Sequence, residues 1–440
     1  MPTLTVSEFS CLREANFTLA PVNVIIGPQG SGKSVTTKLF YFFSDILNNS
    51  LQYAERGDSI EDVKRLLTKQ FAIWFPPSAW GNGRFNISYT AGSFAVRVLR
   101  RRLNKRLSDE VSITFSDWFV QYYSAASKSF KDVREKVLLS YEDNISVSAV
   151  IDQDMRARQY AMDRMHKALG DEYLSQQTFI PAGRAFFTSI GRLVAGFEQA
   201  GSLDPVTIKF AKLFAGMRDR SSRRYGSGIA HRLGTDFLER RSSFMEKLFG
   251  GQVVFQDENE FVETSDGRKI PFTALSSGQQ ELLPMWSLID YFGELDALRS
   301  ARNIKPRKVR ELIYIEEPEA HLFPTAQSQL MEFLIGSVAS ERNQRSLVIT
   351  THSPYIMSKL NVFLKAGQLS KRKKRNQDIN SIVPRECWLI EKNLSALSIQ
   401  DNQIVNLIDE DGLIDARYLD CISEDISDQF SDLLAIEAEL

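Results

Sequence analysis

Gly27-Pro28-Gln29-Gly30-Ser31-Gly32-Lys33-Ser34 sets glycines, a lysine and a hydroxyl at the spacing G-x-x-x-x-G-K-[ST], with Val35 next. Glycines there let backbone N–H groups close around phosphates, and a helix starting at the lysine turns its positive end toward them. Lys33 is placed to reach β- and γ-phosphates, and the Ser34 hydroxyl to ligate Mg²⁺. Phosphoryl transfer is mostly positioning and charge neutralisation, so carboxylates at a strand end are the next requirement. Leu312-Ile313-Tyr314-Ile315 ends in Glu316 and Glu317, the first suited to the metal side and the second to orienting or deprotonating a water. His352 follows the apolar run Leu347–Thr350, where a donor could touch a γ-phosphate. A chance turn, a solvated acidic cap and an ordinary polar histidine are the alternatives, and the three motifs occurring together disfavour them.

A fourth motif, Leu275-Ser276-Ser277-Gly278-Gln279, lies shortly before the acidic strand end. It has the form of an ABC-type signature, in which a hydroxyl, a backbone donor and a helix N-terminus close over a γ-phosphate held by another subunit. Ser-Ser-Gly-Gln-Gln-Glu also resembles a plain helix cap. One copy of each motif predicts a chain that completes its ATP sites by pairing.

The elements that must position these residues are legible in outline. Residues 3–26 read as short strands, the last running into the glycine loop, and Ser34–Leu47 as a helix. A helix over 59–73, a hairpin over about 84–99 and helices over 116–142 and 147–170 follow. Strand character resumes at 175–180, before Pro181-Ala182-Gly183-Arg184. Helices run to about 247, a hairpin spans 253–264, a β-rich tail spans 269–275 and a helix spans 279–292. The apolar runs at 312–315 and 347–350 suit buried parallel strands. Residues 386–408 read as strands and 419–440 as an acidic amphipathic helix.

At 440 residues the chain can hold two or three domain-sized units, and 54 Lys plus Arg against 55 Asp plus Glu argue against a globally basic nucleic-acid binder. Local basic runs at Lys371–Arg375 and Arg100–Arg106 are candidate DNA or RNA contacts or solvated loops. Cys11, Cys387 and Cys421 show neither disulfide nor zinc spacing, and the four histidines are scattered. No apolar run is long enough to span a bilayer and the N-terminus lacks a signal-peptide pattern, so a cytoplasmic, membrane-free setting is expected.

GPQGSGKS, FIPAGR, LSSGQQE, YIEEPEAHLFP and TTHSPYI occur in the order seen in ABC-type ATPases of the AAA-like branch, which the chain resembles over about 1–50 and 175–440. That branch includes the OLD nucleases and the ATPase subunits of antiphage systems such as Septu, PARIS and retron-linked pairs. The resemblance implies an α/β fold: an ATPase head with a β-rich N-terminal lobe, a mostly parallel core sheet flanked by helices, and an inserted helical arm. It implies one ATPase domain over 1–50 and 175–440, an insertion over 51–174, and a closing segment over 386–440. Arg184 is a site-proximal arginine or a structural ion pair, and His321 a dimer contact or a packing residue. Where relatives often carry Asp, this chain has Glu316. Too little chain follows TTHSPYI for a TOPRIM nuclease, and no HNH cluster can be assembled.

The expected function is therefore an ATP- and Mg²⁺-dependent ATPase subunit of a bacterial antiphage complex. It would form a homodimer or larger homo-oligomer and control a separately encoded nuclease or toxin. The alternative is a DNA-repair or chromosome-associated ATPase acting directly on DNA.

Overall fold

The computed structural model describes residues 1–103, 106–143, 147–190, 203–225, 234–256, 259–301, 310–338, 345–371, 376–415 and 417–438. Strands β1 (Thr3–Phe9) and β2 (Leu12–Thr18) form a hairpin, and β3 (Val22–Ile26) leads through the glycine loop into α1 (Lys33–Arg56). α1 runs well past Leu47 because Ser50, Tyr53 and Ala54 keep an inward face buried, and it stops at Gly57. α2 (Ile60–Trp74) starts on a reciprocal cap between Ser59 and Asp62.

The hairpin of β4 (Asn86–Ala91) and β5 (Phe94–Leu103) gains a third strand that the sequence reading omits, β6 (Arg106–Phe115). α3 (Asp117–Asp143) and α4 (Val147–Leu169) follow, with Phe119, Tyr122 and Met165 buried in the same core as the hairpin. Next come β7 (Leu174–Ile180), α5 (Phe186–Ile190), α6 (Pro205–Tyr225) and α7 (Thr235–Phe249). A separate three-stranded sheet holds β8 (Gly251–Gln256), β9 (Asn259–Thr264) and β10 (Lys269–Pro271). The expected β-rich tail stops at Pro271, giving way to a single 3-10 turn before α8 (Ser277–Ala301).

β11 (Arg310–Glu316), α9 (Pro324–Val338), β12 (Arg345–Thr350), α10 (Pro354–Ser370) and α11 (Asn376–Ile382) complete the core. The strands expected over 386–408 are confined to β13 (Leu394–Gln400) and β14 (Gln403–Asn406); short 3-10 turns at Arg385–Cys387 and Glu391–Asn393 replace the first part. α12 (Arg417–Ala438) ends the described chain.

The large sheet is mixed, with eleven strands in the order β6-β5-β4-β1-β2-β14-β13-β3-β12-β11-β7. β13, β3, β12, β11 and β7 are mutually parallel, whereas β6, β5, β4, β1 and β2 are antiparallel. β14 bridges the two halves, antiparallel to β13 and parallel to β2 through the single pair Gln403↔Glu14.

The central parallel strands β3, β11 and β12 are buried on both faces over most of their length, so they read as largely apolar runs. Their side chains still alternate: Leu312 and Tyr314 join one core with α1, while Ile313 and Ile315 join the other, with α8 and α9. Asn23 is the buried polar exception in β3; its amide bonds Ala20 and the Leu347 carbonyl, fixing β3 against β12. The carboxyl ends of β3, β11 and β12 therefore come out side by side. In parallel α/β sheets that edge is where ligands bind.

Candidate functional site

The glycine loop closes tightly on its neighbours. A Cβ on Gly32 (φ 111°) would lie 2.9 Å from Cys11 Sγ and from Leu12, so the loop follows this path only with glycine there. Lys33 begins α1 and folds back, donating from Nζ to the Gly27 carbonyl at 2.8 Å and the Pro28 carbonyl at 2.9 Å. Burial pushes its ammonium below the ordinary lysine pKa, while the carboxylates of Glu317, Glu319 and Glu316 raise it in turn. Pro28, Gln29, Gly30 and Ser34 are exposed at the mouth of the loop, Ser31 is half-buried, and Val35 leans on the core below.

Glu316 ends β11 in a buried position, and one carboxylate oxygen accepts a 3.4 Å bond from Ala182 N–H. Glu317 sits in the left-handed region (φ 44°), its N–H bound to the Thr350 carbonyl at 2.8 Å. A glutamate held in that region is locally strained. His352 Nε2 lies 3.6 Å from Glu317 Oε1, beyond hydrogen-bond distance but within one adjustment of it.

Glu319, which the sequence reading did not single out, links the two strand ends. Its Oε1 accepts from Thr351 Oγ1 and from His352 N–H, both at 2.7 Å. The signal was present in Glu316-Glu317-Pro318-Glu319, where three acids leave one strand within four residues.

Three buried oxygens at the loop and strand ends have no hydrogen-bond partner, Ser31 Oγ, Glu316 Oε1 and Glu319 Oε2, and Glu281 Oε2 behind them is a fourth. Buried polar atoms are normally paired, so three in one place fit a site built around an absent polar group. Among the described residues no three His, Cys, Asp or Glu side chains form a metal site on their own. Mg²⁺ at nucleotide sites is held by few protein oxygens together with substrate phosphates. Ser34 and Glu316 are the donors that fit it.

Arg184 is wholly buried and its guanidinium is saturated. It donates to the carbonyls of Glu281 (2.9 Å), Pro181 (3.1 Å), Glu316 (2.8 Å) and Glu317 (3.2 Å), with Glu281 Oε2 3.8 Å away. Burial lowers its pKa, opposed by Glu281, Glu319, Glu317 and Glu316. Glu281 stands on α8, so Arg184 ties that helix to the turn that carries Glu316 and Glu317.

The signature itself caps α8. Ser276 Oγ and N–H both bond Gln279 Oε1 and Gln279 N–H returns to Ser276 Oγ, while Gln279 Nε2 reaches the Phe249 carbonyl at 2.8 Å. Leu275 is buried beneath, and Ser276 and Ser277 are exposed. Gly278 has no room for a side chain, since a Cβ would lie 2.6 Å from the His321 carbonyl. His321 (φ 59°) is exposed on the loop after Glu319. The structure thus gathers the glycine loop, the three acids and His352 at one place. Among the described residues, the signature reaches the Phe249 carbonyl and lies against His321, away from that loop.

The basic runs divide. Arg100 is buried, stacked on Trp80 and donating to the Gly81 and Ser108 carbonyls, so it is part of the core and not a nucleic-acid contact. Arg101 pairs with Glu110 at the surface and Arg102 is exposed. Lys371 is exposed; residues 372–375 and 104–105 lie outside the described residues. Cys387 is buried, which pushes its thiol up to about 12. Among the described residues no helix is long and apolar enough to cross a membrane.

A mixed α/β sheet whose strand ends present a glycine loop, a buried lysine and clustered acids defines a P-loop ATPase domain of the kind that binds ATP and magnesium. The chain belongs to the family described as "AAA domain, putative AbiEii toxin, Type IV TA system", which matches residues 22–358. Among solved structures it is similar to the SMC head domain from Thermotoga maritima, at 12% identity and a TM-score of 0.32, over 92% of this chain and 97% of that one. No curated protein matches.

Proposed function

We propose that this chain is an ATP-hydrolysing switch subunit of a bacterial antiphage complex, acting in the cytoplasm on a separately encoded nuclease or toxin. The observation that carries the ATPase reading is the set of unpaired buried oxygens grouped with Lys33 at the strand ends. The family description, which names a toxin of a toxin–antitoxin system, supports the link to an effector.

In this reading the backbone of Gly27–Ser34 cradles the phosphates, with Val35 continuing the helix below. Lys33 exchanges its two carbonyl partners for β- and γ-phosphate oxygens. Mg²⁺, when bound with the nucleotide, would supply charge neutralisation, and Ser34 and Glu316 would hold it. Glu317 accepts the proton of the attacking water, and His352 donates to the γ-phosphate edge. Glu319 fixes the His352 backbone and Arg184 fixes the carbonyls behind Glu316 and Glu317, so both are positioning residues.

Leu275–Gln279 of a second copy closes each site. Exposed Ser276 and Ser277 supply the hydroxyls, and His321 packs beside them against Gly278. Nucleotide then stabilises a closed pair, and hydrolysis releases it.

Glu317→Gln is expected to keep ATP binding and lose hydrolysis by about 10²–10⁴-fold. Equilibrium binding of a fluorescent ATP analogue alongside phosphate release checks this, and unchanged turnover refutes the assigned base. A gene encoding a nuclease or toxin next to this one supports the effector half of the reading; a neighbouring permease gene contradicts it.

A further inference from the structure

The acidic terminal helix α12 takes no part in the nucleotide site, yet its composition is not that of a solvated tail. Ile426, Phe430, Leu433 and Leu434 recur at helical spacing and are 60%, 61%, 63% and 49% exposed. Every residue from Asp425 to Glu437 is exposed, so the stripe lies open along its length. Asp425, Asp428 and Asp432 flank it, and Arg417 is the one basic residue between 417 and 438. Apolar stripes of this kind on soluble helices mark a face that packs against something.

α10 carries the complementary face. Tyr355, Val362 and Leu369 are spaced by seven residues along it and are 51%, 43% and 40% exposed. Exposed Lys365 stands between the last two, with Lys371 just beyond. From Tyr355 to Leu369 the stripe is about 21 Å long, and the α12 stripe from Ile426 to Ile436 about 15 Å, so one lies within the other. α12 is rooted beside α10: Asn361 exchanges two hydrogen bonds with Ile414, at 2.9 and 2.7 Å.

We infer that α12 of one copy docks along α10 of a second copy, independently of nucleotide. Pairing α12 with another α12 would set aspartates against aspartates, and an anionic membrane or nucleic acid would repel them likewise. The basic rim and heptad spacing of α10 match both the charge and the packing that α12 requires. Each copy carries both α12 and the α10 stripe, so each offers and receives a helix, as a two-fold interface demands. Tyr355 is three residues after His352, which sets the contact next to the nucleotide site.

The test uses full-length protein without nucleotide, in a Lys33→Met background to exclude ATP-driven pairing, with mass read by light scattering after size exclusion. The parent protein is expected at twice the 50.0 kDa chain mass. Asp428→Lys with Asp432→Lys reverses α12, and Lys365→Glu with Lys371→Glu reverses α10. Either variant alone should run at the chain mass, because each sets like charges against like. An equimolar mixture of the two restores both contacts in a mixed pair and should return to twice the chain mass. A parent protein at the chain mass, variants that stay paired, or a mixture that stays single would each overturn the inference. None of those results would bear on pairing through the ATP sites.

Discussion

Lys33 and Arg184 are both buried cations that feel Glu316, Glu317 and Glu319, but they are satisfied in opposite ways. Arg184 spends its donors on fixed carbonyls from three chain segments and faces Glu281 as well. Lys33 has only the loop's own carbonyls, and the oxygens grouped near it lack partners. A cation whose own donors are all used holds structure, even with Glu281 Oε2 left unbonded beside it, whereas one set among several unpaired oxygens is poised for a ligand. The comparison therefore separates a strut from a site even though both look like a buried charge among acids.

Arg184→Met should give the largest effect on stability. It strands several buried carbonyls and Glu281, at a cost of about 3–5 kcal/mol, read from urea unfolding midpoints. A stability loss below about 1 kcal/mol would remove Arg184 from the strut role.

Asp290 provides a pH test of the helix that Arg184 holds. Burial raises its carboxyl to about 6, against Arg241, whose Nε is 2.8 Å away, and with Glu294 adding to the rise. A raised folded pKa means the contribution is fully present below the unfolded value near 3.8 and is lost as pH climbs through about 6. The loss is roughly 3 kcal/mol across that window. Asp290→Asn should flatten the stability profile there, and an unchanged profile would contradict it.

Gly278→Ala comes next. The added Cβ must displace the His321 carbonyl, at about 1–3 kcal/mol, and should loosen the signature helix from the acid turn. Equal thermal midpoints for variant and parent would show that the loop yields freely. Lys33→Met should change stability least, leaving it equal or raised by up to about 1 kcal/mol, since a desolvated ammonium is removed. The same variant should lose the rise in midpoint that ATP gives the parent. If instead it unfolds as readily as the Arg184 variant, the contrast between the two cations collapses.

Contiguous motifs made much of this site legible in sequence. The glycine loop, Glu316-Glu317 and His352 are each fixed by a strand that ends where its apolar run ends, and three parallel strands bring those ends together. Arg184 was ambiguous because its partners Glu281 and Glu316 lie 97 and 132 residues away, and no local pattern reports them. Glu319 was visible as a third acid, but its role depends on Thr351 and His352 across the strand boundary. β6 was missed because Arg106, Asp109 and Glu110 interrupt its alternation, although it pairs along β5. Arg100 looked like surface charge and is in fact stacked on Trp80 inside the lobe.

The central claim is that two copies share each ATP site, and mixing tests it most directly. Lys33→Met and Ser277→Arg chains should each be inactive alone in steady-state phosphate release. An equimolar mixture should recover activity, because one site of each mixed pair then combines an intact Lys33 with an intact Ser277. A mixture that stays inactive while the Ser277→Arg chain still binds ATP, or a Ser277→Arg chain that hydrolyses ATP unaided, would contradict the account.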